Sequence, residues 1–329
     1  MPVLPVPTYR MRGLLGNGHV QTILPALCRP MPQVVYQRER LETSDGDFLD
    51  VDFAYAMNCS ARCRSSKVAV VSHGLEGHSH RRYVRGMARV LNEQGWDVAA
   101  WNFRGCSGTP NRMARMYHSG DTQDLQTVVS RCDSYGYETI ALIGVSMGGN
   151  QILKYLGEAP ELVPSAVVAA CVFSVPCDLT GAAVELAKPE NAVYMRYFMR
   201  SLKEKVRAKH ARYPDLIPVD GLDSMRSFAE FDNTYTAPLH GFSDAQDYWT
   251  RSSCKPFLSG ISVPVLLVNA LNDPFLSASC YPYKEAWQNK FLHLETPHTG
   301  GHVGFIQLNK NNVYWSEERV IRFFDMLGV

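Results

Sequence analysis

The stretch "ALIGVSMGGNQILKY", residues 141–155, constrains the fold more than any other part of the chain. A short apolar run enters Gly144-Val145-Ser146-Met147-Gly148, a G-x-S-x-G, and an amphipathic helical pattern leaves it. A serine between a strand and a helix sits on a sharp turn with strained dihedrals. Side chains at the two flanking positions would collide there, and glycine removes the collision. The helix that follows points its first amides and its dipole at the serine, where a developing oxyanion would need them. A glycine-rich turn of no chemical consequence is the plainer alternative, but the strand, the helix and the additional Gly149 favour an activated serine. The spacing G-x-G-x-x-G does not occur, so the segment is a poor dinucleotide cradle.

The same alternation extends along the chain. "KVAVVSH", "WDVAAWNF", "AVVAACVFSV", "VPVLLVNA" and "FLHLET" are continuous apolar runs of strand length. Such runs suit strands covered on both faces, as in a parallel sheet packed by helices. Helical patterns separate them over Arg82–Gln94, Gln123–Tyr135, Gly149–Gly157 and Glu317–Leu327. "RERLETSDGDFLDVDFAYA" alternates polar and apolar residues about Asp45-Gly46, a hairpin signal. The expected fold class is α/β, with a mostly parallel twisted sheet and helices on both faces. The spacing breaks once, between Asp178 and Pro264. The division that follows is an arm over the body at residues 1–33, a core at 34–178 and 256–329, and a helical lid or cap insertion at 179–255. The 329 residues would otherwise suggest about two domains.

Composition narrows the partners. A formal net charge of +1 gives no reason to expect nucleic acid or a strongly anionic surface. No apolar run approaches the ~20 residues that span a bilayer, so no transmembrane segment is expected. Prolines interrupt "MPVLPVPTYRMRG" where a signal peptide needs an unbroken apolar core. Nine cysteines, odd in number and without a C-x-x-C pair, suit a reducing compartment, and the expected location is cytoplasmic.

The chemistry needs partners for Ser146. "VVSHGLEGHSHRRY" follows the first buried run, and its His-Gly pair lets a backbone amide face the site. The oxyanion donors expected from the two segments are the amides of Leu75 and Met147. His73, Glu76, His78 and His80 crowd this loop, but their spacing matches no metal motif; no metal and no cofactor is expected, and His78 and His80 read as solvated. The acid is Asp273, after "VPVLLVNALN", with Asp178 as its rival on the preceding strand. In "PHTGGHVGF", Gly300-Gly301 lets the chain turn close and project His302 as the base, with His298 as the alternative. "NFRGCSG" reads as a loop-ordering arginine, and Asp121 or Thr122 as a helix cap. Tyr194, Met195, Tyr197, Phe198 and Met199 form an apolar cluster, read as packing before acyl-chain groove.

Together "GNGHVQTI", "SHGLEGHSHRRYVRGMA", "NFRGCSG", "YHSGDTQDL", "IGVSMGGNQILKYLGE", "APLHGFSDAQDYWTRSSC", "VPVLLVNALNDPF" and "GGHVGF" span nearly the whole chain. The sequence resembles the α/β-hydrolase superfamily and, within it, the YheT-like esterase family, whose eukaryotic relatives include lipid-metabolising hydrolases and ethanol acyltransferases. The resemblance implies an α/β-hydrolase fold, carboxylic-ester hydrolysis and the roles already read for Ser146, Asp273 and His302. It also implies that Pro238–Trp249 returns the cap to the body. The expected activity is a serine ester hydrolase working through an acyl-enzyme on a small-molecule or lipid-like ester. Acyl transfer to an alcohol is the alternative, and a non-catalytic binding protein a more distant one.

Overall fold

The computed structural model describes residues 9–56 and 64–329. Residues 1–8 of the arm, and Cys59 and Cys63, lie outside these. One sheet organises the molecule. Its strands are β1 (Gln37–Glu42), β2 (Phe48–Ala54), β3 (Lys67–Ser72), β4 (Asp97–Asn102), β5 (Thr139–Val145), β6 (Val167–Phe173), β7 (Val265–Val268) and β8 (Leu292–Glu295). They run in the order β1-β2-β4-β3-β5-β6-β7-β8. β1 and β2 are the antiparallel hairpin about Gly46, β2 joins β4 antiparallel, and every other pairing is parallel.

Strands β3 to β7 read as continuous apolar runs because both faces are covered. Along β3, Val68 and Val70 point into one core and Ala69 and Val71 into the other. The first core takes Leu125 and Val128 from α3 (Thr122–Ser134) and Ile152 and Leu153 from α4 (Met147–Glu158). The second takes Val84, Met87 and Leu91 from α2 (Arg82–Glu93) and Phe323 and Phe324 from the helix Trp315–Leu327. Before the sheet, α1 (Gly18–Cys28) starts at Asn17, whose side chain accepts from the amides of His19 and Val20.

Between β6 and β7 the chain forms α5 (Leu179–Leu186), α6 (Ala192–His210) and a series of shorter helices. Met195, Met199, Leu202, Val206, Phe231 and Tyr235 close a separate apolar cluster there. The five residues expected to act together divide: Tyr194, Met195 and Met199 are buried, whereas Tyr197 is 51% exposed. Phe198 belongs to both, packing on the cluster and facing the pocket described below.

Two local expectations need correction. Asp121 occupies the cap position of α3, but its side chain makes no capping hydrogen bond. Its Oδ2 is paired instead with the Arg115 guanidinium, 3.4 Å away. α4 begins at Met147, two residues before the expected Gly149, so that the serine itself is the residue at its cap. Arg104 of "NFRGCSG" does order its surroundings. It is 3% exposed and forks onto Asp124, with Asp45 and Asp47 on its remaining nitrogen. The described cysteines are free thiols, Cys28 exposed and the others buried. Among the described residues no helix is long and apolar enough to cross a membrane.

Candidate active site

Parallel strands end on the same edge of a sheet, and the loops that leave that edge are neighbours in space whatever their separation in sequence. β3 and β5 pair with Ser72 opposite Gly144, which sets the loop after His73 against the turn that carries Ser146. The contact is close. A side-chain carbon on Gly148 would stand 2.5 Å from the carbonyls of Ser72 and His73, and one on Gly144 would stand 2.7 Å from the carbonyl of Gly148. Only glycine lets strand and helix meet here.

Ser146 has φ 54 and ψ −121, a conformation that a non-glycine residue holds only when its surroundings over-determine it. Ser174, at the end of β6, has φ 54, and Val303 has φ 69, unusual for a β-branched residue. The Val303 amide donates to Ser174 Oγ at 2.9 Å, so these two strained residues hold each other. Strain of this kind concentrates at functional sites.

The structure brings Ser146, His302 and Asp273 together. Ser146 Oγ lies 2.9 Å from His302 Nε2, and His302 Nδ1 lies 2.9 and 3.1 Å from the two oxygens of Asp273. The carboxylate has no solvent exposure, and it also accepts from the Phe275 amide at 2.9 Å. The Phe275 ring covers the imidazole, centroid to centroid 4.1 Å. A hydroxyl, an imidazole and a buried carboxylate in this order can pass a proton from oxygen to ring nitrogen while the carboxylate steadies the cation.

The glycines before His302 are explained by what they approach. Gly301 has φ +57, and a side-chain carbon there would sit 2.5 Å from the carbonyl of Gly18. The close neighbour is α1, which in sequence is only part of the arm. Thr22 Oγ1 accepts from the His302 amide at 2.9 Å, and Asn272 Oδ1 accepts from the Gly301 amide at 3.0 Å. Asn272 in turn donates to the carbonyl of Gly16 at 2.9 Å. The arm thus buttresses the histidine loop, a role whose one sequence trace was the "GNGHVQTI" match.

The two rivals lie elsewhere. Asp178 caps α5, accepting from the Gly181 amide at 3.2 Å, and His298 is exposed. The histidines of the loop after β3 also separate. His73 is fully buried, its Nδ1 donating to the carbonyl of Gly74 and its Nε2 accepting from the Phe103 amide, and burial lowers its pKa to about 3. His80 is exposed, as expected, but His78 is half-buried and its pKa falls to about 4, chiefly through loss of water. Among the described residues no three His, Cys, Asp or Glu side chains gather as a metal site.

The backbone amides of the turn after β3 are nearly all engaged. Gly74 donates to Tyr83 Oη at 2.9 Å, Glu76 to Tyr117 Oη at 3.2 Å, and Gly77 to the carbonyl of Gly74 at 2.9 Å. Leu75 makes no such donation within the described residues, and neither does Met147 at the first position of α4. Both residues line the cavity that opens on Ser146 and His302. The rest of that cavity is largely apolar, with Leu179 and Leu186 from α5, Phe198 and Leu202 from α6, and Phe275 and Trp249 beside them.

Comparison with known proteins agrees with this fold. The α/β-hydrolase fold family matches over residues 69–307. The chain belongs to the α/β-hydrolase family. Within it, the chain groups with the esterase-type hydrolases that resemble YheT. It is 38% identical to YheT of Escherichia coli, which carries an esterase designation, over 90% of this chain and 86% of that one. It is 30% identical to the human phospholipase ABHD3, over 88% of this chain and 72% of the relative. Among solved structures, the Pyrococcus furiosus esterase Pf2001 superposes with a TM-score of 0.59 over 99% of this chain and 98% of that one. At 17% identity, that likeness speaks for the fold alone.

Proposed function

We propose that this hydrolase cleaves carboxylic esters with Ser146 as nucleophile, His302 as base and Asp273 as the acid that orients and steadies His302. The observation that carries the reading is the unbroken contact from Ser146 Oγ to His302 Nε2 and from His302 Nδ1 to Asp273. Ser146 Oγ attacks the ester carbonyl as His302 takes its proton, and the carbonyl oxygen becomes an anion held by the amides of Leu75 and Met147. Collapse expels the alcohol, protonated by His302, and leaves an acyl-enzyme. Water then gives its proton to His302 and attacks the acyl carbon, and the acid departs as Ser146 is restored.

The apolar wall between α5 and α6 suits the acyl portion of a lipid-like ester. The helical interval 179–255 acts in this reading as the cap that selects it. The phospholipase name of the human relative agrees with an apolar acyl group.

Labelling with a fluorophosphonate, read by intact mass, tests the reading together with turnover of a p-nitrophenyl ester. Wild type should gain one adduct, and the Ser146→Ala and His302→Ala variants none. Ser146→Ala should lower kcat by about a millionfold, the loss typical of such triads. Turnover near the wild-type rate in folded Ser146→Ala would refute it.

A further inference from the structure

Glu76 has no part in the proton relay, yet it is among the most tightly held side chains near the pocket. It occupies the third position of the turn Gly74–Gly77, closed by the Gly77 amide on the carbonyl of Gly74 at 2.9 Å. Its φ is +54, a value for which such turns ordinarily use glycine. A glutamate stays in this conformation only if other contacts hold it.

Two of those contacts come from α6. Lys205 Nζ donates to Glu76 Oε1 at 2.7 Å, and Ser201 Oγ donates to Oε2. Ser201 and Lys205 are four residues apart, so one face of the helix supplies both. Tyr117 Oη also donates to Oε1 and accepts from the Glu76 amide, and Arg81 donates to the Glu76 carbonyl at 2.8 Å. The carboxylate is 2% exposed, whereas Lys205 also lines the pocket. Leu75, which precedes Glu76, has an amide without a partner among the described residues.

We infer that Glu76 is a positioning residue for the Leu75 amide, and that Lys205 and Ser201 lock it, so that the oxyanion site is complete only with α6 seated. This rests on the proposed role of that amide. Without the lock, Glu76 can relax toward negative φ. Turns that differ in this way differ by a flip of the central peptide, here Leu75–Glu76, which would break the Glu76 amide's bond to Tyr117 and swing the Leu75 carbonyl round beside the Leu75 donor.

The test is a double-mutant cycle on kcat and KM for a p-nitrophenyl ester, using Lys205→Met, Glu76→Gly and the double variant. Glycine accepts positive φ without a lock, which separates positioning from direct contact with substrate. Lys205→Met should lower kcat by about ten- to a hundredfold, less than outright loss of an oxyanion donor. KM should stay within about threefold, because the lost bond acts on the turn that holds the oxyanion donor and the unbranched methionine side chain still fills the Lys205 place in the pocket wall. In the Glu76→Gly background the same substitution should change kcat by less than about twofold. Affinity for a trifluoromethyl ketone, which forms an oxyanion on the enzyme, should fall by the same factor as kcat/KM.

An equal loss in both backgrounds would overturn the inference, since Lys205 would then act on the substrate itself. So would a lower melting temperature with unchanged kcat per folded molecule. Should Lys205→Met fail to fold, Ser201→Ala removes one hydroxyl and should still lower kcat about three- to tenfold; no loss there overturns the inference as well. Fluorophosphonate labelling separates the two readings. Labelled wild type with insensitive Lys205 and Ser201 variants ends this inference alone, whereas unlabelled wild type ends the serine-hydrolase reading beneath it.

Discussion

Changing Asp273 to asparagine alters a single charge, and the structure says which way the new amide will face. In the native protein Oδ1 accepts from the Phe275 amide at 2.9 Å, and both oxygens face His302 Nδ1. An asparagine must keep its oxygen toward Phe275, because an NH₂ group cannot accept. Its Nδ2 then occupies the place of Oδ2, 2.9 Å from Nδ1, so the nearer partner becomes a donor and a hydrogen on Nδ1 keeps only the longer 3.1 Å contact to Oδ1, which favours its loss. The imidazole is left with its proton on Nε2, directed at Ser146 Oγ, where it can donate but cannot take the serine proton. Amidation of a triad acid in this manner costs about 10⁴-fold in kcat. At ~1.36 kcal/mol per decade that is about 5.4 kcal/mol of transition-state stabilisation. Steady-state kinetics on a p-nitrophenyl ester at neutral pH, with a melting curve beside it, measures both halves. The fold should survive, since the shape and the Phe275 contact are kept. A folded Asp273→Asn variant within about tenfold of wild-type kcat would show that the tautomer argument, and with it the role of Asp273, is mistaken.

Three further outcomes follow from named contacts. Gly301→Ala should cost about 1–3 kcal/mol for its positive φ alone and should lower kcat by displacing His302 from Thr22; equal stability in a urea titration would contradict the clash with Gly18. Arg104→Met leaves Asp124, Asp45 and Asp47 without their shared cation and should destabilise by about 3–5 kcal/mol, with a loss under about 1 kcal/mol counting against a structural role. The His118 and His240 rings pack at a tilt with centroids 4.5 Å apart, and burial lowers their pKa values to about 3 and about 2. The unfolded chain therefore binds more protons below pH ~6.5, and stability contributed by the neutral rings is present above that pH and lost on acidification. His240→Phe should flatten the fall between pH ~6.5 and ~4 by up to about 1.4 kcal/mol per pH unit, and an unchanged slope in urea titrations across that window would contradict it.

What could be read from the chain alone was whatever leaves a local or ordered trace. The alternation of buried runs and helical patterns specified the parallel part of the sheet, because strands covered on both faces by helices are apolar along most of their length. Gly144 and Gly148 marked the serine turn, because only glycine fits between strand and helix. Asp273 and His302 were legible because each follows a buried strand and so stands on the same sheet edge as Ser146. The start of α4 was less legible, since Met147 and Gly148 read equally well as turn or helix.

Tertiary structure alone decided the supports. The hold of Thr22 on His302 joins residues 280 apart, and the grip of Lys205 on Glu76 joins residues 129 apart. A hydrogen bond between segments so distant imposes no period and no spacing on either, so neither segment announces it. Likewise, His73, His78 and His80 look alike in sequence, and only packing separates a buried neutral ring from an exposed one. The groups proposed to do chemistry were visible because the fold class dictates where they must stand. Those that hold them in place were not, because their positions follow from the one way this chain packs.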